Sequence, residues 1–292
     1  MTRKKEKKNG LALAILLSVI AMTGCNTKPI GLQMPKNINE KDNSSETYLM
    51  KISRNKDINK LKEAIAKGAD VKIRNNYNLD AIIYAAMNEH PESVKLIYAN
   101  GVDKDKIDIS YILEWGTHNS VEQLIDLGCN PNYKGYTGVA PLYKAVFSDN
   151  KNIFPKLIKA GADVNIINKD GSTILHATIQ AKNDKYTQML LSKNCNVNAA
   201  NKDGVVPLHL AAKNQDYKLM QQLINKGADI NAKDGNDATT VFIASLMSDV
   251  KMMKLLIKNK ADLKIKSKWG TPLDFSENKK DVEMIKLIKS NL

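Results

Sequence analysis

Four histidines and three cysteines are the side chains of this sequence best suited to binding a metal or acting as nucleophiles, and their spacing argues against both. His90, His118, His176 and His209 include no pair at ligand spacing, and no cysteine or carboxylate cluster joins them. The Lys-Asp-Gly turns that end at Gly171 and Gly204 carry part of a calcium loop. Such a loop needs a Glu about six residues past its glycine, and Ala177 and Leu210 stand there instead. No nucleophile elbow, phosphate-cradling glycine loop or paired-carboxylate motif is present. The chain therefore reads as a non-enzyme, with no metal, no cofactor and no small-molecule substrate. The formal net charge is +13, nearly all lysine, spread along the chain rather than striped. Nucleic acid would require a clustered basic face, so it is not an expected partner.

The elements behind these residues repeat. From Gly204 to Asn231 the chain reads GVVPLHLAAKNQDYKLMQQLINKGADIN. Leu208, Ala211 and Ala212, then Leu219, Met220, Leu223 and Ile224, are apolar at helical spacing. Pro207 suits a first helical turn and Gly227 a left-handed helix exit. PLHLAA followed by KGADIN resembles an ankyrin repeat. Positions equivalent to Val206 fall at Thr47, Asp80, Ile107, Ala140, Thr173, Val206, Thr239 and Thr271, in steps of 33, 27, 33, 33, 33, 33 and 32 residues. Second-helix exits keep the same register, from KGADV at 67–71 to NKADL at 259–263. The resemblance implies an all-α solenoid of about eight helix-turn-helix units with projecting β-hairpin loops, spanning 47–292. The third unit follows after only 27 residues, which leaves little chain for the hairpin leading into it, so the array should be least regular there. Cys129 and Cys195 occupy one repeat position two units apart, about 20 Å when helix layers stack at about 10 Å. A disulfide needs Cα atoms within about 7 Å, so both should be free, buried thiols. His176 and His209 fall on the His of the family's TPLH, which bonds neighbouring turns.

Residues 1–24 stand outside that pattern. MTRKKEKK is basic, and LALAILLSVIAM is apolar except for Ser18 and too short to cross a bilayer about 30 Å thick. Ending at Thr23-Gly24-Cys25, the stretch resembles a bacterial lipoprotein signal. The resemblance implies cleavage before Cys25, its lipidation, and membrane attachment through that lipid. Asn26 is not the Asp that in that family signals inner-membrane retention, which favours the outer membrane. Residues 25–46, polar and without apolar period, read as a flexible tether. The expected location is the bacterial cell envelope, on the periplasmic or surface side.

Ankyrin arrays bind other proteins, and the resemblance implies where. The fifth and eighth positions counted from the TPLH Thr face the concave side from each first helix. These positions place Tyr84, Met87, Tyr111, Glu114, Lys144 and Phe147 there in units two to four. The hairpin tips add Tyr77, Tyr133 and Tyr136. A membrane-anchored, non-catalytic protein-interaction module is the reading; an immunity or inhibitor protein that blocks an exported toxin or enzyme is the alternative. If the short third hairpin lets neighbouring units close over these rings, they become local core instead.

Overall fold

The computed structural model describes residues 32–55, 57–116 and 118–292. The signal sequence, Cys25, Asn26 and the first part of the tether lie outside those residues, as does Lys56. The chain divides into two compact units, Met1–Gly138 and Val139–Leu292.

Among the described residues the first unit holds three helix pairs: α1 (Tyr48–Ser53) with α2 (Ile58–Ala66), α3 (Ala81–Met87) with α4 (Pro91–Ala99), and α5 (Ile109–Trp115) with α6 (His118–Asp126). The second holds five: α7 (Pro141–Ala145) and α8 (Ile153–Lys159), α9 (Ile174–Gln180) and α10 (Asp184–Leu191), α11 (Pro207–Lys213) and α12 (Tyr217–Asn225), α13 (Thr240–Met247) and α14 (Val250–Lys258), α15 (Pro272–Lys279) and α16 (Val282–Lys289). Within each unit first helices pack on first helices and second helices on second helices. This is an all-α solenoid; among the described residues, pairing between extended segments is limited to the bridges Ile167–Thr173 and Ser267–Gly270.

Helices this short need their ends satisfied. Asp57, Asn183, Asp216, Asp249 and Asp281 cap second helices by accepting the backbone N–H three residues on. The exits of the second helices are left-handed at Gly68, Gly101, Gly128, Gly161 and Gly227, and at Asn194 and Lys260 where the glycine is replaced. Small apolar residues and thiols then fill the gap beneath each exit. Cys129 and Cys195 are there, buried and unbridged.

Two expectations are corrected. The third unit is shifted by one residue, because Asp108 rather than Ile107 caps α5, accepting the Tyr111 N–H at 2.9 Å. Its hairpin is reduced to a single 3-10 turn, Lys104–Lys106. Nor is the stretch up to residue 46 a tether throughout. Asp42 accepts the N–H groups of Ser44 and Glu46, both at 2.9 Å, and Ser45 is left-handed. The hairpin tips at Asn75, Asn201 and Asp234 have the same geometry, each accepting N–H groups two and four residues on. Asn39 donates to Gly68 O at 3.0 Å and accepts the Asp70 N–H at 2.7 Å, as Asn198 does with Gly227 and Asp229. Residues 37–46 thus form a hairpin that leads into α1, with the contacts of the hairpins between later helix pairs. Polar composition alone did not separate a hairpin from a linker.

Candidate binding surface

In the first unit the expected surface residues divide between core and surface. Tyr84 is 2% exposed. Its hydroxyl donates to Glu46 Oε1 at 2.6 Å and accepts from Asn75 Nδ2 at 2.9 Å. The Arg54 guanidinium pairs with Glu46 and lies 4.3 Å from the centre of the Tyr84 ring. Burial, then the Glu46 carboxylate, holds the hydroxyl neutral well above its ordinary titration range. Tyr84 is therefore a clamp between α3 and the hairpin at 42–46. Tyr111 is 7% exposed, and burial pushes its hydroxyl up to about 12. Counted from Asp108 it occupies the fourth position, the place of His176 and His209. Both rings are enclosed rather than exposed.

Met87 is half-buried and Glu114 exposed. Tyr77 and Tyr136 meet edge to face with centroids 6.1 Å apart, and Tyr136 stays 42% exposed. Tyr136 is positioned by its N–H, which donates to Asp108 Oδ2 at 2.7 Å. Gly135 makes that approach possible, because a Cβ there would lie 1.8 Å from the same oxygen. The Tyr133 hydroxyl accepts from Arg74 Nη1 and Asn78 Nδ2, which turns that ring toward the neighbouring tip.

In the second unit Phe147 is 61% exposed, 6.0 Å from the Tyr143 ring, and Lys144 is half-buried. A larger apolar group lies in the last two helix pairs, beyond the tip aromatics expected from the sequence. Trp269, on the final hairpin, stacks on Phe242 with centroids 5.6 Å apart, and Phe275 meets the same ring at 5.1 Å. Trp269 is 54% exposed and Leu246, one turn beyond Phe242, is 50% exposed. The signal was legible: Leu246 and Phe275 occupy eighth and fifth positions, and Trp269 is a tip aromatic like Tyr77 and Tyr136.

His176 and His209 are structural. His176 Nδ1 accepts the Thr173 N–H at 3.2 Å, so its Nε2–H donates to Val205 O at 2.9 Å. His209 repeats this with Val206 and Ala232. Burial lowers both pKa values, keeping the rings neutral. Among the described residues no group of three His, Cys, Asp or Glu could hold a metal, and no helix is long and apolar enough to cross a membrane.

Helix pairs joined by hairpins and stacked pair on pair define a helical repeat protein. Ankyrin repeats match the chain in three segments, residues 17–108, 142–234 and 208–291. The chain belongs to the ankyrin repeat family and is, at that level, a protein–protein interaction module. The match begins upstream of Thr47, in keeping with the hairpin found at 37–46. No curated protein matches the chain.

Proposed function

We propose that the chain is a non-catalytic binding module, held at the bacterial cell envelope by lipid on Cys25 and displayed outside the cytoplasmic membrane. The observation that carries the binding part is the set of large apolar side chains left open on first helices and hairpin tips: Tyr136 in one unit, and Phe147, Leu246 and Trp269 in the other. Exposed apolar groups that lie together, as Leu246, Met247 and Trp269 do, mark a contact surface. The basic, short-apolar, Gly-Cys start supports the anchor. Residues 26–36 lie between Cys25 and the hairpin at 37–46, a span of at most about 40 Å of extended backbone. On this reading the first hairpin works close to the lipid headgroups.

Two experiments test the two halves. Photocrosslinkers placed at Phe147 and Leu246 in living cells should trap a protein; clean lanes from both sites would refute the binding module. The parent chain should take up a palmitate analogue and sediment with membranes, and Cys25→Ser should abolish the label. Labelling that survives the substitution would refute the anchor.

A further inference from the structure

We infer that the face made by Trp269, Phe242, Phe275 and Leu246 binds an acidic peptide segment bearing large apolar side chains. This rests on the binding-module reading and adds the place and the chemistry of the partner. The floor of the face is preformed, since Phe242 is buried while both Trp269 and Phe275 lean on its ring. Trp269 has one indole face on Phe242 and remains open to solvent on the other. Leu246 and Met247 extend the apolar area along α13.

The rim is positive. From Thr239 to Leu292 there are eleven Lys and six Asp or Glu, an excess of five. The whole of 25–292 has 39 Lys or Arg against 30 Asp or Glu, so this end holds more than half of the surplus. Lys268 Nζ is fixed by Gly235 O at 2.7 Å and Asn236 Oδ1 at 3.4 Å. Lys279 Nζ is fixed by Leu246 O and Ser248 Oγ, each at 2.9 Å, and stands 5.8 Å from the centre of the Phe275 ring. All four acceptors are uncharged, so each ammonium is oriented without being neutralised by them. Two carboxylates stand near this rim: Asp281, which accepts the Met284 N–H and acts electrostatically on Lys279, and Asp274, which accepts the Thr271 N–H and acts on Lys266; neither forms an ion pair with Lys268. Lys268 precedes α15 and Lys279 ends it, so the two charges bracket the rings along a helix about 12 Å long. An apolar centre between fixed cations complements a short acidic peptide with apolar anchors. A bilayer surface would instead favour lysines free to snorkel.

The test uses the full chain carrying Cys25→Ala, panned against a random phage-displayed peptide library. Enriched peptides should be acidic and contain Trp, Phe or Leu. Affinity of the consensus peptide should fall at least about tenfold with Trp269→Ala and with Leu246→Ser, whose side chain supports no ring stack. Lys266→Glu with Lys268→Glu, or raising salt from about 50 to about 500 mM, should also weaken it about tenfold. Unchanged urea midpoints keep these losses separate from unfolding. Enrichment of neutral or basic peptides, or indifference to Trp269→Ala and Leu246→Ser, overturns the inference. Peptides that depend on Phe147 or Tyr136 instead would leave the module intact and refute this location. No enrichment, together with clean crosslinking lanes, would remove both. Binding to phosphatidylglycerol vesicles that Trp269→Ala weakens would assign the face to lipid and refute a peptide partner.

Discussion

Two rings assigned to one surface by repeat arithmetic differ most at the scale of the residue. Tyr111 is enclosed, and Phe147 stands more than half open to solvent. Truncating a buried aromatic removes its transfer free energy and leaves a cavity, about 3–5 kcal/mol together. An exposed ring on a surface costs little to remove. Tyr111→Ala should therefore lower the melting temperature by many degrees, and Phe147→Ala should leave it nearly unchanged. Calorimetry of the two single variants decides this; equal shifts would refute the burial assigned to Tyr111.

Elements in this array depend on their ends. The second-helix exits at Asn194 and Lys260 adopt the left-handed conformation without glycine, and a non-glycine residue there costs about 1 kcal/mol, less for Asn. Lys260→Gly should raise the urea midpoint, and Gly227→Val should lower it; a lowered midpoint for Lys260→Gly would contradict the strain assigned to that exit. The hairpin at 42–46 is held by Glu46, which serves both Arg54 and the Tyr84 hydroxyl. Glu46→Ala leaves a guanidinium and a buried hydroxyl without that acceptor, a loss of about 2 kcal/mol. Trypsin should then cut at Lys36 and Lys41 in the variant while sparing the parent. Rapid cleavage of both proteins would return this stretch to the status of a linker.

For the whole molecule, a chain of neighbour contacts implies uneven stability, since each unit is supported only by those beside it. The third unit has a 3-10 turn in place of a hairpin, and α5 ends at Gly116, whose Cβ would come within 2.9 Å of Ile112. The 3-10 turn and α5, over 101–116, should exchange amide hydrogens faster than the sixth unit does over 206–226. Equal protection measured by mass spectrometry would mean that the shortened hairpin carries no penalty.

What the sequence determined by itself was the repeat: the period, the helix pairs, the glycine exits, the two structural histidines and the unbridged cysteines. These follow from local rules, helical periodicity, caps and φ preferences, which act over a few residues and recur every 33. Tertiary structure decided the rest. The shortened hairpin moved the cap from Ile107 to Asp108, because register is set by which carboxylate reaches the helix end, and packing of neighbouring helices enclosed both Tyr84 and Tyr111. Asn39 and Asp42 became hairpin residues rather than linker because Gly68, Asp70 and Lys51, far along the chain, supply their partners. The exposed rings that remain, Tyr136, Phe147 and Trp269, could be told from the buried ones only after their neighbours were in place: burial belongs to the packed array, and pattern alone assigns a face without saying what covers it.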